Sequence, residues 1–106
     1  MTDLQKKVLS ALTSLPLTRD SDVELCRHIW DEQLTYSLSL PTTIHLRAYK
    51  LLELLNTKKL YSYDSITRLR RKLQETNVHL RGKSWEAKHA KAKVIRNNIN
   101  NLENEL

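Results

Sequence analysis

Turn-forming residues are the tightest constraint on this chain: 106 residues contain one glycine, Gly82, and two prolines, Pro16 and Pro41. Average usage of about 7% and 5% would supply roughly a dozen of them. The hairpins of a sheet-rich fold and the glycine-cradled loops of nucleotide sites both need residues at positive φ in several places. A many-stranded sandwich or barrel is thereby excluded, and an all-α chain is expected. Its length suits one modest hydrophobic core. The single Cys26 leaves no internal disulfide framework, and no apolar run approaches the roughly 18 residues of a membrane span. The opening MTDLQKKVLS lacks the apolar stretch of an export signal, so the expected location is cytoplasmic, away from any membrane.

Hydrophobic spacing divides the chain into five helical segments. Leu4, Val8, Ala11, Leu12 and Leu15 share one face of a helix over residues 3–15, opened by the capping-box pair Thr2 and Gln5 and ended by Pro16. Ser21 and Glu24 repeat the capping spacing and open a second helix to about residue 34, with Val23, Cys26, Trp30 and Gln33 or Leu34 turned inward. TYSLSLP reads as irregular, although Tyr36, Leu38 and Leu40 alternate as in a brief extended strand. Pro41 and the threonines after it start a third helix, whose Ile44, Ala48, Leu51, Leu52 and Leu55 form a broad apolar stripe. It is expected to be the most buried helix, ending at Asn56 or running on through Leu60. YSYDS then supplies a turn and an N-cap for a fourth helix over 63–75. In NVHLRGKSW the glycine lies between Arg81 and Lys83, which reads as a small hairpin tipped by Arg-Gly-Lys. From Ser84 a last helix carries Ala92, Ile95, Ile99, Leu102 and Leu106 in a heptad seam. Five asparagines among its last ten residues are poor helix formers, so a partner surface is expected there, and dimerisation through Ile95, Ile99, Leu102 and Leu106 is preferred over a fold-back.

The net charge of +6 is concentrated. Residues 58–96 hold twelve Lys and Arg against three acids, whereas the preceding stretch is nearly balanced and the last ten residues are slightly acidic. A basic block that keeps its apolar periodicity suits a polyanion better than general solvation. On the fourth helix Ile66, Leu69 and Leu73 form a narrow stripe able to dock one side. Opposite lie Asp64, Arg68, Arg71 and Glu75, flanked by Thr67 and Lys72. A helix enters the major groove only when one side packs on a scaffold and the other reaches base edges and phosphates. Ser65, Thr67, Arg68 and Arg71 fall near its outward N-terminal part, with Arg70 and Lys72 flanking for phosphates. Lys88, Lys91, Lys93 and Arg96 either extend the phosphate footprint or solvate the last helix.

Over residues 44–84 the chain resembles the recognition-helix end of small helix-turn-helix or winged-helix DNA-binding proteins, and LLNTKKLYSYDSITRLRRKLQE is similar to runs in small phage-encoded proteins. The resemblance implies that residues 63–75 form the groove helix and that Arg81, Gly82 and Lys83 mark a wing on the adjacent backbone. The expected architecture is an all-α, winged-helix-like domain over 1–83 with a dimerising helix over 84–106. Double-stranded DNA and a second copy are its expected partners, in the host cytoplasm if the chain is phage-encoded.

Catalysis finds little support. His28, His45, His79 and His89 are scattered, no metal-binding spacing is present, and Cys26 lies on an apolar face, so neither an enzyme nor a cofactor is expected. Trp30 and Trp85 read as core anchors, and a chain without Phe makes a poor RNA-stacking sheet. The alternative function is a small adaptor or inhibitor whose basic face meets an acidic host protein, and duplex or hairpin RNA is a third candidate ligand.

Overall fold

The computed structural model describes residues 1–85, whose regular elements are all helical, with no β-strand among them. Helix α1 spans Asp3–Ser14. Its capping box closes in both directions: the Gln5 N–H donates to Thr2 Oγ1 (3.1 Å) and the Thr2 N–H to Gln5 Oε1 (2.8 Å). Leu4, Val8, Ala11 and Leu12 are buried as their spacing predicts. Leu15 is not, because the backbone turns extended at the C-cap and swings it outward. A 3-10 turn over Pro16–Arg19 follows, and its side chains serve the orphan carbonyls of α1. Arg19 Nε donates to the Leu12 carbonyl (2.7 Å), and Thr18 Oγ1 to that of Ala11 (3.1 Å).

Helix α2, Asp22–Glu32, begins at the predicted cap, with the Glu24 N–H donating to Ser21 Oγ (3.2 Å). Its buried residues are Leu25, Cys26 and Ile29, and Trp30 is half-buried; Val23, expected inward, is 66% exposed. The inner face is rotated because α2 packs against both α1 and α4. The following stretch, expected to be irregular or extended, continues as a π-helical turn over Gln33–Ser37. It closes at Ser39, whose φ of 53° lets the Leu40 N–H reach the Leu34 carbonyl (2.8 Å).

The third helix departs furthest from expectation. Residues 42–46 form a separate turn, in which the Thr43 N–H donates to Asp31 Oδ1 (2.8 Å), and α3 is only Ala48–Asn56. Leu54 is its one buried residue, while Ile44, Tyr49 and Leu52 stand exposed. The reason is that the main core closes without it. Leu4, Val8, Ala11, Leu12, Leu25, Cys26, Ile29, Ile66 and Leu80 form one cluster drawn from α1, α2, α4 and the turn after α4. Helix α3 docks beside it on a smaller cluster, where Leu51, Leu54 and Leu55 meet Leu34 and Leu60.

Helix α4 spans Tyr63–Thr76, within a residue of expectation. The hairpin expected after it does not form. Val78–Leu80 is a 3-10 turn that carries Leu80 into the main core and leaves Val78 outside. The helix expected from Ser84 lies, beyond Trp85, outside the described residues, and with it Ala92, Ile95, Ile99, Leu102 and Leu106.

Candidate nucleic-acid interface

Three sets of contacts hold α4. At its start Tyr61 is strapped to two other helices. Its carbonyl accepts from Trp30 Nε1 (2.7 Å), its N–H donates to Gln33 Oε1 (3.1 Å), and its hydroxyl donates to Asp3 Oδ2 (2.6 Å). That last bond, chiefly, raises the phenol above its ordinary pKa. Ser62 caps the helix by accepting from the Ser65 N–H (3.1 Å). At its end Arg81 Nε and Nη2 donate to the carbonyls of Gln74 (2.7 Å) and Glu75 (3.0 Å), with the guanidinium 4.8 Å from the Trp85 ring centroid. Along its flank Arg70 and Gln74, only 7% and 2% exposed, converge on the Arg19 carbonyl, which accepts from Arg70 Nη1 (3.1 Å) and Gln74 Nε2 (2.8 Å). Gln74 Nε2 also donates to the Leu80 carbonyl (3.1 Å). Arg70 Nη2 lies 2.9 Å from Asp22 Oδ1, near in distance but outside hydrogen-bond alignment, and Arg70 Nε meets no hydrogen-bond partner among the described residues.

The buried side of α4 is therefore partly polar. Ile66, Thr67, Arg70 and Gln74 centre it roughly 80° away from the midline of Ile66, Leu69 and Leu73, at about 100° per residue. This divides the predicted site. Ser65, Arg68, Arg71 and Lys72 share the exposed arc with Asp64 and Glu75. Thr67 does not: it is buried, with its hydroxyl donating to the Asp64 carbonyl (3.2 Å). Arg70 does not either, because a narrow apolar stripe leaves room at its edge, and backbone carbonyls that need donors draw the guanidinium in. Arg81 is a helix-capping residue and not the tip of a wing. Lys83 has an exposed side chain, while its N–H is bound to Asp20 Oδ2 (3.1 Å). Arg68 Nε pairs with Asp64 Oδ2 one turn earlier (3.0 Å), and Arg71 and Lys72 make no ion pair among the described residues.

Sequence reasoning missed the structural set of Arg19, Asp20, Asp22, Arg70, Gln74 and Arg81. A faint signal existed: α4 has too few apolar residues to fill a buried side, so polar side chains had to complete it.

No group of three or more His, Cys, Asp or Glu able to hold a metal occurs among the described residues. Burial, with help from nearby Asp22, pushes the Cys26 thiol up to about 12, far from a reactive thiolate. His28 is turned toward Glu32 (3.1 Å), and His45 and His79 are exposed. Among the described residues no helix is long and apolar enough to cross a membrane. Comparison with protein-family models, curated proteins and solved structures returns no match.

Proposed function

We propose that the chain is a site-preferring double-stranded DNA-binding protein that offers α4 to the major groove, as a helix-turn-helix protein does. The observation that carries this reading is the division of α4. One side is clamped by apolar packing and carbonyl-bound Arg70 and Gln74, and the opposite arc leaves Ser65, Arg68, Arg71 and Lys72 open. A scaffolded helix with arginines on its free side has the two properties that groove entry requires. The scaffold in this reading is α1 and α2, against which α4 packs. Lys83, whose side chain is exposed, is a further candidate phosphate contact, and Arg70 and Arg81 leave the binding set because their guanidinium groups serve the fold. Self-association through Ile95, Ile99, Leu102 and Leu106 is part of the proposal and rests on their heptad spacing alone.

Selection of bound sequences from random duplex DNA, followed by salt titration, tests it. Arg71→Ala should weaken a preferred site by about 1–3 kcal/mol. Lys72→Ala should weaken all sequences alike and lower the log-salt slope by roughly one. A wild-type chain that binds no duplex at low salt would end this reading. Sedimentation tests the dimer, which a wild-type monomer at tens of micromolar (on the order of 10⁻⁵ M) would exclude. A second reading, an adaptor or inhibitor seated on an acidic protein, is favoured by the exposed Ile44, Tyr49 and Leu52 close in sequence to Arg47 and Lys50. A stable protein complex without duplex binding would select it, and RNA competing better than DNA would select an RNA ligand.

A further inference from the structure

We infer that Asp64 sets the base preference of the α4 surface by holding Arg68 in a guanine-reading pose, an inference that rests on the DNA-binding reading above. Asp64 and Arg68 stand one helical turn apart, and Arg68 Nε lies 3.0 Å from Asp64 Oδ2 as an ion pair. A guanidinium is a planar fork with five N–H donors. With its Nε edge turned toward the carboxylate, the planar guanidinium keeps its terminal Nη1 and Nη2 edge for another partner. Those two nitrogens form the pair that matches O6 and N7 of guanine in the major groove. Arg68 has no other polar contact among the described residues, so that end of the fork is open.

The pair does little for folding. Both side chains are largely exposed, and exposed ion pairs contribute little stability. Its consequence is orientation. An arginine already held in one pose loses less rotamer freedom when it meets a base. Water leaving the interface would then strengthen the charged contact. Spacing alone does not produce such a pair on this helix, since Arg71 and Glu75 have the same separation in reverse order and make no ion pair. Acid before base is the favourable order along a helix. Asp64 also repels phosphate, so its presence weakens binding to DNA in general while sharpening the choice of base. Arg71 and Lys72, with no such partner, remain contacts of lower selectivity.

The test is selection from random duplex DNA with wild type, Asp64→Ala, Arg68→Ala, the double variant and Glu75→Ala, all checked for unchanged helical content. Wild type should prefer guanine at one position by about ten-fold or more, and Arg68→Ala should erase that preference. Asp64→Ala should reduce it several-fold while tightening binding to random duplex, and the double variant should lose no more than Arg68→Ala, because Asp64 acts through Arg68. Glu75→Ala should also tighten random binding yet keep the guanine preference. A guanine preference that depends on Arg68 and survives Asp64→Ala overturns the positioning role and leaves the DNA reading intact. So does a selective wild type with no Arg68-dependent guanine. A wild type that binds no duplex overturns both.

Discussion

The only glycine lies against the carboxylate of Asp20, which accepts from the Lys83 N–H (3.1 Å), the Ser84 N–H (3.1 Å) and the Ser84 hydroxyl (2.6 Å). Gly82 does not adopt positive φ. Its hydrogen is needed instead for clearance, since a Cβ there would overlap the Asp20 carboxylate. Gly82→Ala should therefore cost about 1–2 kcal/mol, the scale of losing a capping carboxylate. In an Asp20→Ala background the same change should cost almost nothing, and urea melts of the four proteins would show the non-additivity. Additive losses would mean that some other contact needs the glycine. Cys26 makes a separate prediction. Its thiol is pushed up to about 12 in the folded chain, against an ordinary value near 9. Below pH 9 both states hold the proton, so the favourable contribution is complete. Between pH 9 and 12 the unfolded thiol ionises first, and stability falls with rising pH. Cys26→Ala should remove that part of the slope, and at about pH 8 the native thiol should resist disulfide reagents until the chain unfolds.

At the scale of elements, the scarcity of glycine did not deprive the helices of left-handed caps. Helix α3 ends in a Schellman arrangement: the Lys59 N–H donates to the Leu54 carbonyl (2.9 Å) and the Lys58 N–H to that of Leu55 (3.2 Å). Lys58 takes the left-handed position at φ 60°, where glycine is the usual occupant. Leu60, just beyond, is buried with Leu54, so tertiary packing imposes a conformation that a lysine disfavours. Lys58→Gly should relieve it and raise stability by about 0.5–1 kcal/mol, read as a higher melting temperature. A lower one would show that the lysine stem contributes more than its backbone strain costs. Ser39 holds the equivalent position after the π-helical turn. The sequence offered Asn56 as the C-terminal cap of α3, but Asn56 is the last helical residue and the left-handed position falls on Lys58; nothing marked Ser39, since neither left-handed position carries Gly or Asn.

For the molecule as a whole, the polar clamp on α4 decides which basic residues are available to a partner. Arg70→Met should lower stability by about 2–4 kcal/mol, since it strips a donor from the Arg19 carbonyl and leaves Asp22, which is only partly solvated, without its cation. Arg71→Met on the exposed arc should stay within about 0.5 kcal/mol of wild type, so chemical denaturation separates two adjacent arginines by their roles. Equal effects would mean that α4 is not oriented as described. The sequence by itself determined the all-helical character of the described residues, the capped starts of α1, α2 and α4, and the basic arc of Arg68, Arg71 and Lys72. Each depends on local spacing: a cap is a contact three residues away, and a helical face follows from about 100° per residue. Only tertiary structure decided that Arg70, Thr67 and Arg81 turn away from that arc, that Leu80 enters the core, and that α3 stays at the edge. The burial of Arg70 and Gln74 depends on a carbonyl more than 50 positions away, that of Arg19, and Leu80 packs among core residues of α1 and α2; no local pattern encodes such distances.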